Sequence, residues 1–335
     1  MNFPRRFLKI FLSLVAAAFF LWLAFREVNV QELWKQITQV KLGWILPFAL
    51  TMLVSHYLRA ERWLLLLTGL EKKPTRSTLF TGVMLGYLMN YVFPRLGEVT
   101  RPVYVARQLN ISSGRLLGTI VLERVIDLVS LIGFLMVVIF YFIGDHQAFG
   151  RIFGAGSWTT RVFLLVPAFL LLLTVLTWAG YRTLQSLKRG NRHPLMARFA
   201  DYGTLFWKGF SSLRRVENWP LFVLLTVGIW FGYILMAYLP FLMLDLHTGY
   251  DLGLVEATVV TVISAVGISI PTPGGIGSYH LFVQQSLWLL FSVPLVSALT
   301  YATVTHGVTL IMTVIFAPLL LWFNKLHTLK KKIVR

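Results

Sequence analysis

The feature that most constrains this chain is the recurrence, along its whole length, of apolar stretches of roughly 18 or more residues, each able to cross about 30 Å of hydrocarbon as a helix. Full-length candidates are residues 7–25, 44–67, 116–143, 161–180, 219–244 and 296–323. In lipid a backbone must satisfy its own polar groups, so such runs read as helices. Composition points the same way: a mean hydropathy of +0.72, with 57% hydrophobic and 13% charged residues in 335, leaves more apolar surface than a water-soluble domain can hide. The longest polar segment, 181–218, is too short and too basic for a catalytic module and reads as a loop with room for an amphipathic helix.

A net charge of +18 would suggest nucleic acid in a soluble protein. Here anionic headgroups at a cytoplasmic face account for it, and no nucleic-acid partner is expected. With no cysteine, the chain has neither disulfides nor a thiol nucleophile. The first residues, with Arg5, Arg6 and Lys9 before an apolar run, resemble a signal peptide. Large residues such as Leu21, Trp22 and Phe25 stand where a cleavage site needs small ones, so the segment is expected to stay as a first span.

Two shorter apolar pieces, 79–93 and 253–270, run into proline-glycine breaks, Phe93 to Glu98 and Pro271 to Gly277, and short stretches at 99–107 and 278–292 follow. The positive-inside rule decides whether these pieces cross or turn back. If both turn back and the N-terminus is cytoplasmic, segments 1–9, 59–78, 107–115, 181–218 and 325–335 lie inside and hold 23 of the 31 lysines and arginines. Five (Arg26, Lys35, Lys41, Arg151, Arg161) then face outside, and Arg95, Arg101 and Arg124 fall at membrane depth. A full crossing by the first piece would strand the eight charges of 181–218 outside, so re-entrant hairpins are expected.

The expected fold is therefore an all-α polytopic membrane protein with about six full spans and two re-entrant broken hairpins. Residues 1–143 form a first repeat, 144–160 an external loop, 161–323 a second repeat and 324–335 a basic cytoplasmic tail. The halves have opposite orientation, an inverted-topology repeat that sets a substrate site near the bilayer midplane.

Charges at membrane depth cost at least ~2.5 kcal/mol each, so they mark either a buried ion-pair network or a functional site. Arg95, Glu98 and Arg101 are spaced three apart; Glu123, Arg124 and Asp127 are spaced to share a face of the following span. Arginine suits phosphate, because its planar fork gives paired hydrogen bonds and stays charged when buried. In the second break, Pro273, Gly274, Gly275 and Gly277 either free backbone amides at a half-helix starting near Ile276, for an anion, or allow close helix packing. His280 and His306 are candidates for packing, proton coupling or headgroup contact. Arg59 and Arg62 read as snorkelling anchors and Glu256 as an interfacial residue. Zinc-type spacings, a phosphate-binding glycine loop and a nucleophile elbow are missing from the sequence, so no cofactor or metal is expected.

In Pro94-Arg95-Leu96-Gly97-Glu98 with Arg101, in Glu123-Arg124-Val125-Ile126-Asp127-Leu128 and in Pro273-Gly274-Gly275-Ile276-Gly277, the chain resembles the lysylphosphatidylglycerol synthase transmembrane region family, the flippase-like domain proteins. The resemblance implies movement of lipids or lipid-linked intermediates between leaflets. It also implies a glutamate where this chain has His280. The soluble aminoacyl-transferring domain of the namesake synthases is absent, so lysyl-lipid synthesis is not implied.

The reading that results is a lipid flippase of a bacterial cytoplasmic (inner) membrane, both termini cytoplasmic, acting on a phospholipid or lipid-linked phosphate without itself being an enzyme. Alternatives are an intramembrane glycosyl or headgroup transferase using Glu98 or Asp127 as base, and a non-transporting scaffold with an envelope-biosynthesis protein as partner.

Overall fold

The computed structural model describes residues 3–67, 70, 72–111, 113–144 and 216–333; the expected spans and loops at 145–215 lie outside them. The described part is helical, with no strand among the described residues. The chain gathers into two compact units, residues 1–116 with 216–335, and residues 117–215.

The first unit opens with α1 (Phe3–Phe25), then turns by 89° into the short α2 (Val30–Thr38). Asn29 sets that bend: its side-chain oxygen accepts from the Gln31 and Glu32 amides at 2.9 and 3.2 Å, an N-cap that starts a new helix. Leu33 and Ile37 pack with Ala24, Val28 and Leu299, while Val30 and Trp34, toward the outer edge of the same apolar face, stay exposed. A 3-10 turn at Leu42–Trp44 leads into α3 (Ile45–Leu66).

Helix α3 pairs closely with α7 (Trp219–Met243) through small residues: Gly232 faces Ser55, Gly228 faces Leu58, and the Ser55 hydroxyl donates to the Ile229 carbonyl at 3.2 Å. Lys41 closes the end of this pair, its ammonium 2.6 Å from Asp245 and its amide donating to the Met243 carbonyl. Helix α8 (Leu246–Gly249) is a single turn after that junction.

Both breaks fold the chain back on itself. In the first, α4 (Arg76–Val92) meets α5 (Leu96–Leu109) with Gly86 against Gly97 and Gly82 against Val105, the descending register of antiparallel arms. In the second, Gly267 of α9 (Leu254–Ser269) packs on Ser278 and Phe282 of α10 (Ser278–Phe291). Helix α11 (Leu295–Ile333) runs on from the last expected span into the basic tail as one helix through Pro318. The second unit holds all but the first turn of α6 (Ser113–Gly144).

By length and composition, two described helices qualify as spans, Trp219–Met243 and Leu295–Leu326, and a third is reached only if Ile10–Phe25 and Val30–Thr38, bent by 89°, are counted together as one. That is fewer clearly apolar spans than the six expected. Helix α3 carries Arg59, Glu61 and Arg62 near its end, and α6 is interrupted by Glu123, Arg124 and Asp127. Both are helices where spans were expected, but they are not uniformly apolar.

Candidate functional site

The tips of the two broken hairpins meet. Gly274, at φ 59°, lies so close under the Tyr91 ring that a Cβ there would enter it, and the Arg95 guanidinium donates to the Ser269 carbonyl at 3.4 Å. Arg95 does not share a helical face with Glu98 and Arg101, as its spacing suggested: it caps α5 at φ 62°, a left-handed conformation that costs a non-glycine residue about 1–2 kcal/mol. A helix break turned the residue away from its sequence neighbours. Glu98 is half-buried and Arg101 buried one turn later on α5.

Arg101 reaches α3 instead, with its guanidinium carbon 3.9 Å from the centre of the Trp63 ring. Around it the structure corrects the reading of Arg59 and Arg62. They are not snorkelling anchors: they are 4% and 0% exposed, on the buried face of α3 that also carries Met52, Ser55, His56, Trp63 and Leu66. Arg59 donates to the Tyr233 hydroxyl at 3.1 Å (Nε) and 2.9 Å (Nη2), and Arg62 to the Thr226 hydroxyl at 3.4 Å. The signal was in the sequence, because 52, 55, 56, 59, 62, 63 and 66 follow helical spacing and make one polar-aromatic stripe.

From Arg59 a polar seam runs toward the breaks. Tyr233 is 3.1 Å from the Tyr87 hydroxyl, Tyr87 stacks on His56 with ring centres 4.0 Å apart, and one turn along α4 Tyr91 meets His306 edge-on at 5.6 Å. His306 in turn lies 5.0 Å from His280 and 5.2 Å from Tyr279. The seam therefore runs from Arg59 of α3 toward both histidine candidates by way of Tyr233, Tyr87 and Tyr91.

The second break favours packing over an open anion site. Helix α10 begins at Ser278, two residues past Ile276 and so near the expected start, and its first turn is buried. Gly277, at φ 85°, abuts the α1 backbone at Ala17 and Leu21, where any side chain would collide. Gly275 and Pro273 are buried in a 3-10 turn. His280 is the third residue of α10, and its Nδ1 accepts from the Gly277 amide at 3.4 Å, the place a glutamate takes in a capping box. Glu256 does the same work in α9, accepting from the Gly253 amide at 2.8 Å.

In the second unit, Glu123 is buried, Arg124 is exposed, and Asp127 is half-buried with an oxygen 3.7 Å from Arg124. Among the described residues no group of three or more histidines or acids is arranged for a metal.

An all-helical chain with apolar spans, two folded-back breaks and arginines buried between its helices is a multi-pass membrane protein. It belongs to the lysylphosphatidylglycerol synthase transmembrane region family, whose profile matches residues 10–317. It is similar to a UPF0104 membrane protein of Methanocaldococcus jannaschii, 33% identical over 102 residues, which are 30% of this chain and 30% of that protein. A UPF0104 membrane protein of Pyrococcus horikoshii is 22% identical over 307 residues, 86% of this chain and 88% of that protein. No solved structure matches the chain.

Proposed function

We propose that this protein moves an anionic, phosphate-bearing lipid or lipid-linked intermediate between the leaflets of a bacterial cytoplasmic membrane. The family's name ties it to a phospholipid system, and a membrane lipid-related function is the coarser form of the same reading. The observation that carries the finer form is the meeting of the two broken hairpins, Tyr91 over Gly274 and Arg95 on Ser269, beside buried arginines. Irregular backbone at membrane depth persists only where protein or a water-filled cavity surrounds it, and such places in transporters hold substrate.

Arm lengths support re-entry. Helices α4 and α9 have 17 and 16 residues, about 25 Å at the helical rise, and α5 and α10 have 14 each, so no arm crosses about 30 Å of hydrocarbon. Removing the buried Arg59 and Arg62 from the 23 charges assigned to the inside leaves 21, still far above the five assigned outside. On this reading there are six spans in two inverted halves, with the termini and 181–218 cytoplasmic. In the first unit Arg95 and Arg101 hold the phosphate and Glu98 orients them or exchanges protons; in the second, Glu123, Arg124 and Asp127 form a charged group of their own.

In reconstituted vesicles, Arg101→Ala or Glu123→Ala is expected to abolish transfer of a labelled anionic phospholipid while the protein still inserts. Transfer at the wild-type rate in both variants would remove the site. Sidedness has its own test, made clean by the absence of cysteine. An impermeant maleimide should label Arg192→Cys only from the cytoplasmic side and Lys35→Cys only from the outside; labelling of both from one side would dismantle the topology.

A further inference from the structure

We propose that His280 and His306 form a proton site that works as a latch on the second break, and, resting on the transport reading, that proton movement drives the lipid step. A proton is a ligand that needs no cavity, and both rings are buried, 7% and 9% exposed.

The geometry gives the two rings different duties. The Gly277 amide is among the first N–H groups of α10, which have no partner within the helix, and it donates to His280 Nδ1. With Nδ1 accepting, neutral His280 carries its proton on Nε2. His306, one ring away at 5.0 Å, has a buried Nε2 with no hydrogen-bond partner. In the tautomer that keeps its proton on Nδ1, that nitrogen is an acceptor with no partner, a place for a proton beside the occupied Nδ1 of His280.

What surrounds the pair matters to its charge. Tyr91 faces it from α4, Tyr279 from α10 itself, and Tyr301 lies behind Tyr279 on α11. From α1, Ala17, Phe20 and Leu21 line Gly277 without a titratable group, and on α9 the nearest polar feature is the Ser269 carbonyl, held by Arg95. Among the described residues no carboxylate, lysine or arginine acts on either ring. Two imidazolium charges at this separation in so apolar a setting repel strongly, so the pair holds one proton at a time.

Where that proton sits decides the state of the break. On His306 it leaves the Gly277 cap intact. Passed to His280 Nδ1, it turns an acceptor into a donor and sets two N–H groups against each other, so the cap opens. Gly277 touches the α1 backbone with no room to spare, and loss of the cap therefore moves the break against α1. No bond other than N–H forms or breaks.

Hydrogen exchange on the full chain in nanodiscs tests the latch directly. Between about pH 8 and pH 4, a span that runs from above the ordinary histidine range to well below it, protection of the amides from Gly277 to Leu281, corrected for intrinsic exchange, should fall about tenfold, the ratio one backbone hydrogen bond carries. In His280→Gln the side-chain oxygen keeps accepting from Gly277 and the response should be flat. Protection that ignores pH in the wild type, or falls equally in His280→Gln, overturns the latch. In vesicles, the ratio of labelled phospholipid transfer with and without an imposed pH gradient should exceed one in the wild type and collapse to one in His306→Gln. A wild-type ratio of one overturns the coupling. A wild type that moves no lipid overturns the transport reading, and exchange at Gly277 then decides the latch by itself.

Discussion

Alanine at Gly97 is expected to separate the two arms of the first hairpin and to destabilise the protein more than any other single methyl added to a glycine of the breaks. Its Cβ would coincide with the Gly86 carbonyl and lie 2.8 Å from the Asn90 side-chain oxygen. Neither neighbour can yield: one is helix backbone, and the other already accepts from the Gly97 amide at 2.8 Å. Only a shift of α5 away from α4 makes room, and that shift breaks the close approach by which small residues hold helices together in lipid. Overpacking of this kind costs about 1–3 kcal/mol or more, which lowers a thermal midpoint by roughly 2–4 °C per kcal/mol.

A graded control belongs to the same experiment. At Gly82 the nearest atom is a Val105 methyl at 3.1 Å, which can turn aside, so alanine there should cost less. At Gly133 nothing lies within 4 Å, and alanine should be neutral or stabilise by up to ~1 kcal/mol through helix propensity. Equal midpoints for the alanine variants of Gly97 and Gly133, measured on the purified proteins by monodispersity after heating, would mean that the hairpin is not packed at this crossing.

Much of the architecture was legible because lipid imposes a coarse rule. Apolar runs announced α1, α3, α6, α7 and α11, and the prolines and glycines announced both breaks. What escaped depended on where backbone turns. The 89° bend into α2 was written in Asn29 and Glu32, a capping pattern hidden inside a stretch that otherwise read as an outer loop. Spacing alone put Arg95 on a face with Glu98 and Arg101, but spacing predicts a shared face only inside a continuous helix, and Arg95 stands at the turn. Glycine-rich sequence fits both anion binding and close contact; Ala17 beside Gly277 and Tyr91 beside Gly274 decide for contact, and no sequence pattern discloses which helix will be the neighbour.

Arg59 and Arg62 show the same limit from the other side. A cation near the end of a span normally extends its stem to the headgroups, and position along the chain is the usual guide. Here the face of the helix outweighed its end, because Ser55, His56 and Trp63 on the same stripe turn inward to α7, α4 and α5 and carry the arginines with them.

That placement leads to the second large effect expected. Replacing Arg59 or Arg62 by glutamine should lower lipid transfer per folded protein about 10- to 100-fold, the equivalent of the ~1.5–3 kcal/mol that hydrogen bonds from a charged donor carry. A cation at membrane depth is unfavourable by at least ~2.5 kcal/mol, and apolar replacements of buried ionic groups are often neutral or stabilising, so stability alone gives no reason for three buried arginines on α3 and α5. Glutamine keeps one donor for Tyr233 or Thr226, and both hydroxyls keep a second contact, Tyr233 with Tyr87 and Thr226 with the Phe222 carbonyl. Arg59 and Arg62 have further interactions besides these, so transfer is read per folded protein, and a loss of transfer beyond the loss of folded protein reports the charge. An exposed control, Arg76→Gln, removes only a surface pairing with Glu61 and should leave transfer as it was. If the glutamine variants of Arg59 and Arg62 instead fall out of the membrane fraction, or transfer lipid as fast as Arg76→Gln, the arginines serve to bind α3 to α7 and their charge takes no part in transfer.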